Sequence, residues 1–284
     1  MRKLKPFTRI SLVLLTLGTI ISLIGYLGGG WKNMKTVAKN YYQPQTVSFS
    51  DIRAIEVNDR LSIMPSPDNQ FHLHYYRNQH KEIDQLSHNF QDGKLTISSA
   101  FQGIITYDGI LEPILNLANN QNIANYQPVL EVPKNSKIES LSGNIQGDLY
   151  LDKVTIHGLD LTVEDGDMLI ENSQISFKHL SHFNGEVEIN HSTLTSPADI
   201  TDTVGSILTV EDGNFNAENL KLEGRHGINN YNGSIDISLH SQTKSDIYIE
   251  ASQNNIGIDL PNYSNPKATN YLSISTLDGE LTIR

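Results

Sequence analysis

Cysteine is absent from all 284 residues, which excludes disulfides, thiolate metal sites and a lipid-modified cysteine anchor. Basic residues are scarce where nucleic acid would need them. Seven of the 21 Lys and Arg precede position 50 and all 32 acids follow it, so residues 51–284 carry 14 positive against 32 negative side chains, a net charge of −18. Phosphate neutralisation needs a dense basic surface, so nucleic acid is excluded as a partner of this region. The sequence also has no Gly-x-Ser-x-Gly elbow for a serine nucleophile and no glycine loop of the phosphate-cradling type.

Charge of either sign is missing from Ile10 to Trp31, where Leu, Ile and Val dominate as far as Leu27. About 20 apolar residues let a helix cross the hydrocarbon layer. Arg2, Lys3, Lys5 and Arg9 precede the run, and Tyr26 and Trp31 stand where interfacial aromatics belong. The run exceeds a usual signal-peptide core and no Ala-x-Ala follows it, so an uncleaved transmembrane helix over residues 10–30 is expected, with a signal peptide as its rival. Lys32, Lys35 and Lys39 follow the span. Four basic residues against three favour a cytoplasmic N-terminus only slightly. The expected organisation is a basic tail at 1–9, the span at 10–30, a juxtamembrane linker at 31–50 and an acidic domain at 51–284. The lysines after the span suit anionic lipid headgroups.

What the sequence does contain, seven times, is glycine followed by apolar residues two and four positions later. The copies are Gly93-Leu95-Ile97, Gly147-Leu149-Leu151, Gly166-Met168-Ile170, Gly185-Val187-Ile189, Gly213-Phe215-Ala217, Gly233-Ile235-Ile237 and Gly279-Leu281-Ile283. Asp92, Asp165, Asn184, Asp212, Asn232 and Asp278 each precede one of these glycines. Asx-Gly adopts positive φ readily and turns a chain tightly; the alternation after it reads as a half-buried strand. Glycine spacing is 19, 19, 28 and 20 residues from Gly147 to Gly233, with the residues from Thr195 to Gly205 filling the longer interval as a surface insertion. Leu161-Thr162-Val163-Glu164-Asp165-Gly166 recurs letter for letter at 208–213. A fixed period near 20 implies stacked coils that are each too small to bury an apolar face alone. In that scheme Met168 and Phe215 occupy equivalent inward positions, as do Val163 and Val210, and Gly166 is expected at positive φ.

The expected fold is therefore all-β, a parallel β-helix or β-solenoid of 19–20-residue coils behind one N-terminal helix. An antiparallel β-sandwich is the alternative, because Asx-Gly also closes hairpins, although hairpins predict strand spacing of 8–12 residues without a rigid period. Earlier, Ile55 and Val57, Leu61 and Ile63, then Phe71, Leu73 and Tyr75 alternate, with Pro65-Ser66-Pro67-Asp68 as a turn. Ile110, Leu111, Ile114, Leu115 and Ala118 have helical spacing, so 101–127 reads as an insertion with one short helix. The last strand reaches Arg284, so no wall-sorting tail is expected.

Residues 50–284 resemble a bacterial family of unknown function, the "putative adhesins" with β-strand repeats. The resemblance rests on Val129-Leu130-Glu131-Val132-Pro133 leading into the Gly-x-apolar-x-apolar coils. It implies a membrane-tethered, right-handed β-solenoid facing the outside of a Gram-positive-type cell. The family brings no catalytic residues.

Four groups of residues invite chemistry. His72 and His74 share one strand face, with His80 and His88 nearby in sequence; no third metal ligand has a defined spacing, so solvated histidines outside a buried Phe71-Leu73-Tyr75 face are expected. Glu164-Asp165-Gly166-Asp167 and Glu211-Asp212-Gly213 could stack carboxylates for calcium, but a hard cation wants six or more oxygens in a cage, and exposed acidic turns are expected instead. Arg225, the sole arginine between Arg77 and Arg284, is the natural sugar-directed base if the solenoid is a polysaccharide lyase, and otherwise a solvated bend residue. Glycoside hydrolysis would need two carboxylates at a defined separation, and no pair stands out. No catalytic, metal or cofactor residues are assigned and an enzyme is not expected. The expected function is a single-pass, extracellular β-repeat scaffold that binds a protein or glycan, with the inserts 101–127 and 195–205 as rims. A regulatory or envelope-stress component acting through a membrane partner is the alternative.

Overall fold

The computed structural model describes residues 6–30, 32–33, 42–78, 86–99, 127–197, 205–252, 256–260 and 263–284. The helix predicted at 101–127 and His80 lie outside them. The chain divides into two compact units, one of Met1–Gln43, Arg77–Glu82 and Gly103–Tyr126, the other of Pro44–Tyr76, Ile83–Gln102 and Gln127–Arg284.

In the first unit a helix, α1, runs Pro6–Leu27. Pro6 suits a first turn, where its missing N–H would be unpaired anyway. Gly28 N–H closes the last turn on Ile24 O at 2.8 Å and Gly29 takes φ 84°, a glycine stop. The large apolar side chains from Ile10 to Leu27 are all exposed.

The second unit is a solenoid. One coil shows its plan. Leu149–Asp152 makes one straight run, Lys153 turns the chain at φ 56°, and Thr155–Glu164 follows with a register break between Ile156 and Leu159. Asp165 at φ 54° then closes the coil beside Gly166. The next coil repeats every position in parallel register. Leu149 pairs with Met168, Met168 with Val187, Val187 with Phe215, Phe215 with Ile235 and Ile235 with Leu281. Leu161, Leu180, Leu208, Ile228 and Ile274 form a second ladder. All of these side chains are buried. Met168 and Phe215, and likewise Val163 and Val210, stand two coils apart in single columns, as the internal repeat requires. Successive coils pair in parallel, which removes the sandwich alternative.

The glycines form a column of their own. A Cβ at Gly185 would lie 2.4 Å from Gly166 O, at Gly213 1.7 Å from Gly185 O, at Gly233 2.1 Å from Gly213 O, and at Gly279 2.2 Å from Gly233 O. Each carbonyl thus occupies the place where the next coil's side chain would begin. Gly166 departs from expectation. It is not among the positive-φ glycines, whereas Asp165 before it takes φ 54°. Its own reason for being glycine is packing, since a Cβ would sit 2.4 Å from Gly147 C. The opposite corner uses the left-handed residues Asn135, Lys153, Asn172, His191 and Asn219.

At both ends, chain order and spatial order part. Asn270–Asp278 lies between Arg225–Asn232 and Ile247–Ser252, and Leu281–Ile283 lies between Ile235–Leu239 and Ile256–Ile258. The last coil is therefore inserted one layer in, under the coil that precedes it. The same holds at the start, where Ala54–Asp59 lies between Ser140–Gln146 and Lys94–Ser99. Ser62–Pro65 likewise pairs with both Val129–Val132 and the strand of Leu149. Antiparallel strands finish that end: Leu86–Gln91 on Lys94–Ser99, and Phe71–Asn78 on Val129–Val132. Part of the predicted linker joins them, because Tyr42–Phe49 is a strand against Phe71–Asn78 that buries Phe49 and half-buries Val47. A one-turn helix, α2 (Ser241–Ser245), covers another edge, where Thr243 Oγ1 accepts Leu222 N–H at 3.1 Å.

Inside the solenoid, the column of Val163 and Val210 also holds His182, Asn230 and Thr276. All three are buried, and each donates to a column-glycine carbonyl: His182 Nε2 to Gly166 at 2.7 Å, Asn230 Nδ2 to Gly213 at 3.0 Å, and Thr276 Oγ1 to Gly233 at 3.1 Å. Nearby, His226 donates from Nε2 to Glu223 O at 3.0 Å, accepts Ser206 Oγ–H on Nδ1 at 2.6 Å and stacks on Phe177. Burial disfavours the imidazolium. It lowers the pKa of His182 and pushes that of His226 down to about 4.

Gly213→Ala should destabilise the solenoid by more than about 2 kcal/mol, since backbone must move to admit the methyl. Gly257→Ala, whose Cβ meets nothing nearer than 3.7 Å, should be close to neutral in urea unfolding. Equal midpoints for the two variants would contradict the column. Val163→Asp should cost several kcal/mol, because it puts a carboxylate into a site that now buries only apolar atoms; a variant that unfolds at the parent's urea concentration would place residue 163 outside the core. The unfolded chain binds a proton at His226 near pH 6.5 and the folded chain near pH 4, so its stabilisation is full above pH 6.5 and falls by about 1.4 kcal/mol per unit as pH drops towards 4. Asp59, pushed up to about 6 by burial, acts in the opposite sense. The measurement is therefore the difference in urea midpoint between pH 7 and pH 4.5 for parent and His226→Leu: the variant should lose less, and an equal loss would show that His226 does not titrate as its burial requires.

Candidate functional site

The outward positions of the coils are where any partner must bind, and the residues singled out by sequence fall on three separate parts of them. On Phe71–Asn78 the alternation buries Phe71 and Leu73 and turns His72 and His74 outward. His72 Nε2 meets the Asp68 carboxylate at 3.0 and 3.1 Å and its Nδ1 meets Ser48 Oγ at 2.9 Å. His74 Nδ1 meets Thr46 Oγ1 at 2.9 Å and its Nε2 lies 3.2 Å from Glu131 Oε2. The imidazole centroids are 5.9 Å apart, yet their nitrogens face different partners. The Gln70 N–H, followed by His72, holds the Asp68 carboxyl below its usual range. His88 stands on Leu86–Gln91 against Phe49 and Tyr75. Among the described residues, no group of three His, Asp or Glu side chains could hold a metal ion.

The acidic turns form a column beside the glycines. Asp148 Oδ1 accepts Asp167 N–H at 3.1 Å, and Asp167 Oδ1 accepts Glu186 N–H at 3.0 Å; two coils on, Asn214 Oδ1 accepts Ser234 N–H at 2.9 Å. Asp165 accepts Asn184 Nδ2 at 2.9 Å and Asp212 accepts Asn232 Nδ2 at 2.7 Å. Glu164 receives Asn144 and Gln146 at 2.7 and 3.0 Å. These oxygens point along the stack to neighbouring coils, Glu164 to the preceding one and the aspartates to the following one, and not at a common centre. Asn214 in place of Asp167 keeps the same acceptor, which explains why the second copy of the repeat tolerates the change.

Arg225 lies at the start of Arg225–Asn232, exposed, with its guanidinium 4.4 Å from the centroid of the Tyr271 ring, its register partner. The structure brings it together with the Tyr271 ring.

Sequence reasoning missed one concavity. Outward residues of consecutive coils, Glu188 and Asn190, Asn216 and Glu218, Asp236 and Ser238, line a polar groove of about 430 Å³ closed by Arg284. Arg284 and Asp236 make an ion pair at 3.2 Å. The residues lie 20 to 28 positions apart, so only the coil period brings them into view. Upstream on the same face, Tyr150 donates to Glu171 at 2.8 Å, and that hydrogen bond pushes its pKa up to about 12.

Two solved structures are among the proteins that this chain is similar to. A "putative cell adhesion protein" from Clostridium sporogenes is 12% identical over 85% of this chain and 99% of its own, with a TM-score of 0.30. A "putative adhesin" from Bacteroides fragilis is 14% identical over 85% of this chain and 96% of its own, with a TM-score of 0.33. No curated protein matches. Residues 52–284 match the model of the Toastrack DUF4097 family, and the chain belongs to that family.

Proposed function

We propose that this chain is a single-pass membrane protein whose acidic solenoid stands outside the cell as a non-catalytic scaffold for a protein or glycan partner. The observation that carries the reading is α1. Eighteen consecutive residues, Ile10–Leu27, have a mean hydropathy of 2.2 and none of that stretch is buried in protein. At about 1.5 Å per residue the stretch matches the hydrocarbon thickness of a bilayer. The solenoid, by contrast, buries most of its large apolar side chains, with Phe90, Ile207 and Leu277 among the exceptions. Such a helix also suits a signal peptide, and the mass of the mature protein separates the two.

The non-catalytic part of the reading is supported by what the sequence-selected groups do. His72, His74, Glu164, Asp165, Asp167, Asp212 and Arg225 are engaged in contacts between strands or coils. The modest basic excess before the helix and the resemblance of residues 50–284 to the adhesin-like repeat family support an extracellular C-terminus. The regulatory alternative uses the same helix, with the solenoid on the cytoplasmic side.

In intact cells expressing a C-terminally tagged chain, added protease should remove the tag while cytoplasmic markers survive, and the untreated protein should run at the full 31.7 kDa plus tag. A tag that is cut only after lysis, with wall-stripped cells giving the same protection, would overturn the extracellular reading. A mature chain shortened by the N-terminal segment would overturn the anchor.

A further inference from the structure

Near the last coils a short aromatic ladder stands beside several basic side chains. Ile247–Ser252, Asn270–Asp278 and Arg225–Asn232 lie side by side, so Tyr248, Tyr271 and Arg225 occupy one outward column. The two tyrosine rings stack with centroids 5.8 Å apart and planes 19° off parallel, and Arg225 covers the far face of Tyr271. Tyr248 is the end of this ladder. Ser264 pairs with it across an isolated antiparallel bridge, and a serine side chain is too small to cover a phenol ring.

The surrounding segments are joined at this corner. Asp246 Oδ1 accepts Thr269 N–H and Asp246 O accepts Asn270 Nδ2, both at 2.9 Å. Lys244 stands in the last turn of α2, two residues before Asp246. Lys267 belongs to the turn that begins at Ser264, held by its N–H on Asn265 Oδ1 at 3.0 Å. Across 224–227, 241–250 and 263–271 there are three cations, Arg225, Lys244 and Lys267, against the two carboxylates of Asp246 and Glu250. Both carboxylates are engaged: the Thr269 N–H holds the Asp246 carboxyl below its usual range, and Glu250 accepts the Tyr271 hydroxyl. Neutral donors leave both carboxylates charged, so by count these segments carry one net positive charge, on a domain whose overall charge is strongly negative.

We infer that the end face of Tyr248, with Lys244 and Lys267 beside it, is a stacking platform for an acidic polysaccharide. The apolar C–H face of a pyranose packs on an aromatic ring, and a uronate carboxylate on that sugar meets the ammonium groups. Arg225 and Glu250 act on the ladder itself, the one stacking on Tyr271 and the other orienting its hydroxyl. The inference rests on the scaffold reading and gives its ligand a chemical class. An anionic ligand is the charge-complementary occupant here, whereas the acidic groove lined by Glu188, Glu218 and Asp236 would repel it.

The test uses the full chain in lipid nanodiscs with a short oligogalacturonate as probe, followed by calorimetry at low and high salt. Saturable binding that weakens with salt is expected, with the fully methyl-esterified oligomer, which has the same sugar and no charge, binding at least about tenfold more weakly. Tyr248→Ala should weaken binding by about tenfold or more, a loss of roughly one aromatic stacking contact. Lys267→Gln, on an exposed turn, should weaken it about threefold and reduce the salt dependence without altering the unfolding midpoint. Absence of saturable binding, equal binding of the methyl ester, or parent-like affinity in both variants would overturn the inference. None of these outcomes bears on which side of the membrane the solenoid lies, which the protease experiment reads separately.

Discussion

The coils close by packing backbone directly on backbone. Where each coil closes, a glycine carbonyl projects into the space that a Cβ would fill on the next coil, at Gly185, Gly213, Gly233 and Gly279 in turn. This close approach fixes the rise from coil to coil at one side, and parallel strand pairing fixes it elsewhere. With the rise fixed, every inward residue must stack on its equivalent, so the apolar ladders follow. The acidic column follows as well, because the residue after each glycine is then placed to accept the next coil's N–H. The buried His182, Asn230 and Thr276 belong to the same arrangement, since they supply donors to glycine carbonyls that the closure leaves inside.

A stack of this kind has open ends, and unpaired strand edges invite association. Here the ends are closed by departures from the repeat. Antiparallel strands finish one end, while α2 and the 263–269 turn cover edges at the other. The coil at each extremity of the solenoid's chain is also inserted beneath its neighbour, so it is paired on both sides. Terminal coils normally fray because they have one neighbour; insertion gives them two.

Much of this was legible in the sequence because the repeat writes the coil directly. The Gly-x-apolar-x-apolar spacing places the ladders, and the copy at 161–166 and 208–213 places their register two coils apart. What was not legible depends on contacts between coils. Gly166 has the same Asx-Gly signature as its neighbours, yet its φ differs and only the stacked backbone explains it. The strand at Tyr42–Phe49 lies in a segment with little alternation and forms because Phe71–Asn78 offers it an edge. Insertion of the end coils leaves no local trace, as Ile249 and Leu272 look alike to any periodicity. Candidate binding surfaces suffer most, because the polar groove and the Arg225–Tyr271–Tyr248 ladder are each assembled from residues some 20 or more positions apart. Single residues pointed out by sequence, such as His72 and Arg225, were found in the right outward places but with structural partners.

The central claim is in-register stacking with the last coil inserted, and the absence of cysteine allows it to be tested with engineered pairs. Asn229 is the register partner of Ser275, and Ser275 that of Ser252. Cysteines at 229 and 275 should therefore oxidise to a disulfide under mild conditions, their Cα atoms lying about 5 Å apart across adjacent strands. Cysteines at 229 and 252 should remain reduced, two strands or about 10 Å apart. The reverse pattern, with 229 linking to 252, would mean that the coils stack in simple chain order and would contradict the insertion.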